Sequence, residues 1–344
     1  MVEVRRHASQ HDAIGELPLL TESARVTAVT YQDDDRSGEI ATAMERLLAD
    51  VAIEGVDSAT LPGEWEAAAE ACAAAGRADL ARQVTALGRR YDRPYPMLAA
   101  VRFDTDLDVD FVAGQYVGLT YEGIPRAYSL SNSPAEDELE ICVRRVPGGR
   151  LSPRICADLA VGDELTIRGP YGELVLGDHA PRDLAFVATG TGVAPLKSMI
   201  EYLFETGRDE YDGQRRDVWL FLGADWTDDL PYREYFRDLA ATRENFHFVP
   251  CLVFESLLSE WEGETDFVQD ALLAHVDPDR VTTGVAAPLE RRLRREPRSG
   301  VDARIDPGNV DIYACGINAM VYSLLAEIDA IGVPERRVEV EGFG

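Results

Sequence analysis

Arg126-Ala127-Tyr128-Ser129 places a fixed cation, an aromatic ring and a hydroxyl on one short segment, followed by the small polar run Leu130-Ser131-Asn132-Ser133-Pro134. An arginine can fork onto a phosphate, a tyrosine can lie flat on a flavin ring, and a serine hydroxyl can hydrogen-bond a ring nitrogen. Downstream, Pro147-Gly148-Gly149-Arg150-Leu151-Ser152-Pro153 contains two glycines that let backbone approach a phosphate closely. Ser152 followed by Pro153 reads as an N-cap and a first-turn proline, so the helix they open would aim free N–H groups at an anion. Gly190-Thr191-Gly192-Val193-Ala194-Pro195 follows an apolar strand and opens a helix, the place where a nucleotide pyrophosphate rests. Ile312-Tyr313-Ala314-Cys315-Gly316 closes a later strand, and the sequence ends on Val340-Glu341-Gly342-Phe343-Gly344.

In this order the segments resemble the ferredoxin–NADP reductase family of flavoproteins, with motifs of the oxygenase-reductase type. The string Phe111-Val112-Ala113-Gly114-Gln115-Tyr116-Val117 fits the same family's flavin domain, and the resemblance covers about residues 97–344. It implies FAD rather than FMN. Arg126 is then the pyrophosphate ligand, Tyr128 covers one ring face, and Ser129 sits at flavin N5. Val143 and Arg144 line the ribityl and adenosine side, and Gly149, Leu151 and Ser152 complete the cradle. Gly190, Thr191, Gly192, Ala194 and Pro195 take the nicotinamide nucleotide. Cys315 and Gly316 lie beside the reacting nicotinamide carbon, although Ile317-Asn318 stands where the family carries proline. Phe343 covers the second flavin face, with Glu341 as the nearby carboxylate, and Phe343 would move aside for nicotinamide. Ser129, Cys315 and Glu341 are the catalytic candidates.

The implied activity is electron transfer between NAD(P)H and a one-electron acceptor such as a ferredoxin, through hydride transfer to flavin N5. The alternatives are the reductase component of an oxygenase, or a flavin-binding regulatory or electron-routing subunit with little turnover. Carboxylates at Asp225, Asp228 and Asp229 would repel a 2′-phosphate and favour NADH over NADPH as co-substrate.

The formal charge of −28 comes from 62 acidic against 34 basic residues, and Lys197 is the single lysine. Self-repulsion of that size needs screening, which reads as adaptation to a salty cytoplasm and disfavours binding to nucleic acid or anionic lipid. Within this acidity Arg291–Arg298 forms a basic island that could dock an acidic iron–sulfur protein or simply pair with nearby carboxylates. The five cysteines, at 72, 142, 156, 251 and 315, show no C-x-x-C spacing. They therefore suit neither a cluster nor a zinc ribbon, and they fit a reduced cytoplasmic protein without a metal site. No apolar run reaches the roughly 18 residues needed to span a bilayer, and no signal peptide is evident.

These sites need two scaffolds. Alternating, β-branched segments at 24–31, 97–103, 111–117, 139–145 and 164–168, together with the Arg126 segment, predict an antiparallel β-barrel for residues 1–180. Apolar residues at helical spacing predict three helices in an insertion at 37–93, either a partner platform or packing material. From residue 181 strands and helices alternate, predicting a doubly wound parallel sheet through residue 344. The strands fall near 184–188, 217–222, 246–252, 310–314 and 337–341, and the helices near 193–205, 229–241, 265–274 and 317–331. Residues 284–308 are expected to form a surface excursion.

Overall fold

The structure is a computed structural model, and it describes residues 5–6, 21–49, 60–106 and 109–343. A short β1 (Arg5–Arg6) is followed by β2 (Thr21–Tyr31). The insertion then supplies α1 (Ser37–Ala49), α2 (Trp65–Ala74) and α3 (Ala78–Tyr91). The chain returns through β3 (Leu98–Thr105), β4 (Tyr116–Tyr121), β5 (Ile124–Ser129), β6 (Leu139–Arg144), α4 (Ser152–Ala157) and β7 (Glu164–Tyr171). Strands β2 to β7 form one antiparallel sheet in the order β5-β4-β7-β2-β3-β6. A bridge between Leu130 and Ile141 brings its two edges together, so the sheet nearly closes into a barrel. Inward-facing Val26, Val101, Phe103, Val117, Leu119, Ile141 and Val143 fill it.

The second layer holds β8 (Asp183–Thr189), α5 (Val193–Glu205), the hairpin of β9 (Glu210–Tyr211) and β10 (Gln214–Arg215), and β11 (Val218–Ala224). It continues with α6 (Arg233–Thr242), β12 (Phe246–Leu252), α7 (Val268–His275), α8 (Ala287–Leu293), β13 (Val310–Ile317), α9 (Asn318–Ala330) and β14 (Val338–Phe343). Its parallel sheet runs β1-β14-β13-β8-β11-β12. Strands β8, β11 and β13 are apolar on both faces because helices cover both sides. The strand order reverses beside β8, which places a ligand crevice at the carboxyl ends of β8 and β13. Arg5–Arg6 pair with Glu341–Gly342, so the first described strand lies on this sheet and not on the barrel. Among the described residues no helix is long and apolar enough to cross a membrane.

Several expected boundaries shift for local reasons. Residues 111–115 form a turn, and β4 starts only at Tyr116. Gly114 sits at φ 107°, and a Cβ there would run into the Leu174 carbonyl and the Met199 methyl. The helix expected from 229 begins at Arg233, because Thr227–Asp229 form a 3-10 turn and Tyr232 turns left-handed at φ 57°. The excursion at 284–308 carries α8, whose Leu289 and Leu293 pack into the core of the second sheet.

The insertion is packed rather than projecting. Ile40, Met44, Leu48, Cys72, Val84 and Leu87 make a small core that takes in Trp226, from the loop after β11. A buried charge cluster locks it in place. Asp228 accepts from Arg90 Nη2 at 2.5 Å and from Arg36 Nη1 at 3.4 Å, while Arg93 Nη1 donates to Asp229 at 2.5 Å.

Candidate functional site

Two cavities meet where the barrel faces the parallel sheet. The first, of about 410 Å³, is walled on the barrel side by β5 and β6 and by the loop at 146–152. On β6, strand alternation decides which side chains reach it. On β5, Arg126, Tyr128 and Ser129 line the cavity. On β6, Cys142 and Arg144 line it, whereas Val143 points into the barrel core with no exposure. Val143 was expected beside the cofactor; its side chain does not line this cavity, because it lies on the opposite face of its strand.

The loop at 146–152 is held differently from expectation. Ser152 Oγ accepts from the Val146 N–H at 3.0 Å, pinning the loop to itself, and Leu151 occupies the N-cap position of the six-residue α4. Gly149, Arg150, Leu151 and Ser152 all line the cavity nonetheless. Burial pushes the Tyr128 phenol well above its ordinary range, so it stays neutral. Arg126 Nη1 donates to the Pro125 carbonyl at 2.8 Å, which curls the guanidinium along its own strand.

The opposite wall comes from the parallel sheet: Thr191, Gly192, Ala194, Cys315 and Phe343. Gly190 turns left-handed at φ 52° to carry β8 into α5. Gly192 lies against the end of β13, where a Cβ would meet the Cys315 carbonyl carbon at 2.7 Å and Gly316 Cα at 2.9 Å. The loop can lie this close to β13 only without a side chain at 192. Pro195 is buried inside α5 and lines neither cavity. Gly316 serves packing too, with Thr189 and Met320 filling the space where a Cβ would go.

Cys315 is buried beside Glu341, its register partner on β14. Burial first, and then the Glu341 charge, raise its thiol well above the usual range. Cys315 is therefore a small neutral group at the cavity wall rather than a thiolate. Glu341 is itself buried on β14 beside β13 and lines neither cavity.

The second cavity, of about 580 Å³, opens along the carboxyl ends of β8, β11 and β12, beside the start of α7. Gly190, Thr191, Gly223, Asp225, Phe267 and Gln269 are among its walls. Arg144, Thr191 and Phe343 line both cavities, so the two share a mouth. Phe343 stands at that mouth.

The sequence reading of the acidic loop needs correction. Asp228 does not face the nucleotide side; it is 1% exposed and belongs to Arg36, Arg90 and Arg93. Asp229 accepts from Arg93 and, at 3.2 Å, from Arg144. Asp225 does line the second cavity, where burial and the neighbouring Asp229 raise its pKa against the pull of Arg144 and Arg93. The Arg291–Arg298 island is likewise engaged by acids. Arg292 pairs with Asp270 and Glu327, Arg294 with Glu290, and Arg295 with Glu264 and Asp266.

Sequence reasoning missed Cys142, Val146 and Arg150 in the first cavity and Thr189, Phe267 and Gln269 in the second. Cys142 had a signal, since it shares a strand face with Arg144. Phe267 and Gln269 had none, because only the sheet order brings the start of α7 beside β11.

The donor set of the first cavity fits a flat apolar ring carrying a phosphorylated tail. Tyr128 and Phe343 supply aromatic surface, and Arg126, Arg144 and Arg150 supply cations. All five cysteines are buried and free, and among the described residues no cluster of metal-ligating side chains exists.

Residues 97–176 match the oxidoreductase FAD-binding domain and residues 186–324 the oxidoreductase NAD-binding domain. The reductase component of phenol 2-monooxygenase from Pseudomonas sp. strain CF600 is 40% identical over 185 residues, which is 53% of this chain and 51% of that protein. The CDP-6-deoxy-L-threo-D-glycero-4-hexulose-3-dehydrase reductase of Yersinia pestis is 32% identical over 248 residues, 72% of this chain and 64% of that protein. The chain thus spans between half and two thirds of these relatives' length. A ferredoxin NADP+ reductase from Neisseria gonorrhoeae, solved with bound FAD and NADP, shares the fold at a TM-score of 0.55 and 22% identity. That match covers 72% of this chain and 93% of the solved one. The insertion at 37–93 lies outside both matched domains.

Proposed function

Because the chain belongs to the FAD- and NAD-binding oxidoreductases with the ferredoxin reductase fold, we propose that it moves electrons from a nicotinamide dinucleotide to a separate protein acceptor. The acceptor is a one-electron carrier such as a ferredoxin, or the oxygenase or dehydrase partner that the relatives' names indicate. One observation supports the reading: the two cavities share Arg144, Thr191 and Phe343, so a flavin in the first and a nicotinamide in the second would meet at one mouth.

Bound FAD supplies the chemistry, accepting two electrons as a hydride and passing them on singly. The protein's residues set the stage for it. Tyr128 offers one flat neutral face, Arg126 and Arg150 hold phosphate, and Ser129 presents a hydroxyl to the ring edge. Phe343 closes the mouth and has to swing away for a nicotinamide to enter, which excludes water until then. Cys315, kept as a neutral thiol by burial and Glu341, gives the nicotinamide a small uncharged wall. Gly190 and Thr191, at the turn into α5, line the second cavity and offer backbone N–H groups to the dinucleotide pyrophosphate, while Gly192 lets that turn pack against β13. We place the chain in the cytoplasm, where five buried thiols remain reduced.

The test is anaerobic titration of the flavin-loaded chain with NADH and with NADPH, followed by addition of a ferredoxin. Loss of the visible flavin absorption, and its return on adding the acceptor, is the expected outcome. A flavin that neither nucleotide reduces would remove the proposal.

A further inference from the structure

A third cavity, of about 260 Å³, branches from the nucleotide cavity on the side of the insertion. The two share Arg144, Asp225 and Asp229. Helix α3 and the residues just after it contribute Arg82, Arg89, Arg90 and Arg93 to its wall. With Arg144, five arginines therefore face two carboxylates, in a chain whose net charge is −28.

The acids in this region are already matched from below. Arg90 Nη2 holds Asp228 Oδ2 at 2.5 Å, and Arg93 and Arg144 share Asp229 Oδ1 at 2.5 and 3.2 Å. The Arg93 side chain is 9% exposed, yet its Nη2 has no hydrogen-bond acceptor among the described residues; the nearest carboxylate oxygen within ion-pair range is Asp228 Oδ2 at 3.5 Å. Arg82 and Arg89 are exposed on the rim, and Arg82 makes only a loose pair with Asp79 at 3.7 Å. Asp225 is the one wall carboxylate without an arginine in ion-pair contact among the described residues, and burial raises its pKa. A small groove with surplus guanidinium donors, opening from a dinucleotide cavity, has the chemistry of a phosphate subsite.

We propose that Arg82 and Arg89 of the insertion bind a phosphate of the adenosine half of the nicotinamide dinucleotide, so that the insertion forms the second wall of that site. This rests on the nucleotide reading above. The two arginines come from a segment outside both matched domains. The phosphate is either the 5′-pyrophosphate or the 2′-phosphate, and separate probes distinguish them.

The experiment is calorimetric binding of ADP-ribose, 2′-phospho-AMP and adenosine to the full flavin-loaded chain and to its Arg82→Ala/Arg89→Ala variant. Both substitutions lie on an exposed rim, so the fold is retained. At least one phosphorylated probe is expected to bind the variant about tenfold more weakly, the worth of a charge-assisted hydrogen bond, while adenosine binding stays unchanged. Loss with ADP-ribose identifies the pyrophosphate, and loss confined to 2′-phospho-AMP identifies the 2′-phosphate. Equal affinities for every probe in the two proteins would overturn the inference, as would an equal loss for adenosine. A chain that shows the expected binding pattern but whose flavin no nucleotide reduces would instead sink the electron-transfer proposal and leave the subsite standing.

Discussion

Replacing Asp228 by alanine tests the clamp that holds the insertion to the parallel sheet. Asp228 is 1% exposed and accepts from Arg90 at 2.5 Å and Arg36 at 3.4 Å, with Arg93 Nη2 at 3.5 Å. The Arg90 and Arg93 side chains are 5% and 9% exposed. Removing the shared carboxylate leaves the buried Arg90 without its counter-charge, while Arg93 keeps Asp229 at 2.5 Å. Breaking a buried pair in this one-sided way costs about 3–5 kcal/mol, and Arg36 retains Glu255 at 2.9 Å, so the lower end applies. At roughly 2–4 °C per kcal/mol for a domain of this size, the thermal midpoint should fall by about 6–12 °C. Because the cluster is buried, salt should restore little of that loss. Adding Arg90→Met to the alanine variant should recover part of it, since the stranded cation is then gone. Thermal unfolding of the four proteins of this cycle, with nucleotide KM measured in parallel, reads both effects. A loss below about 1 kcal/mol, or an intact midpoint with a changed nucleotide KM, would mean that Asp228 faces the ligand and that the clamp is misread.

Other perturbations address the site and its supports. Gly192→Ala puts a methyl group against the backbone of Cys315 and Gly316, which cannot yield. Overpacking should cost about 3 kcal/mol and weaken nucleotide binding; a variant with wild-type stability and nucleotide affinity contradicts the close approach. Glu201, buried beside Lys197, is pushed up to about 7 chiefly by desolvation. Its folded pKa thus exceeds its unfolded one, and the native state binds the extra proton. Stability should decline as pH rises from about 4.5 to 7, and Glu201→Gln should flatten that decline in pH-dependent unfolding. Cys315 should resist iodoacetamide at neutral pH in the folded chain and react once unfolded, as mass spectrometry would show; labelling of the native protein contradicts its neutral, buried state. Tyr128→Ala should raise the flavin dissociation constant by up to about tenfold through lost stacking, read from released flavin fluorescence.

The two-layer architecture was legible because local pattern carries it. Alternation and turn glycines mark the barrel strands, and the apolar runs of β8, β11 and β13 separated by helical stretches mark the parallel sheet. The loop at 190–195 was legible for the same reason, since a strand–glycine–helix junction is a local event. Boundaries slipped where a single residue's conformation intervened, as at Gly114 and Tyr232.

What the amino-acid string determined by itself is therefore the identity of each chemical group and the element that carries it. Only the tertiary structure decided which groups meet. Val143 and Cys142 are neighbours in sequence, yet one fills the barrel and the other lines the cavity, because a strand sends alternate residues to opposite faces. Asp228 reads as a ligand-facing carboxylate until the insertion and the residue before it, far away along the chain, deliver Arg36, Arg90 and Arg93 to it. Charge partners are set by long-range packing, and no short-range pattern records them.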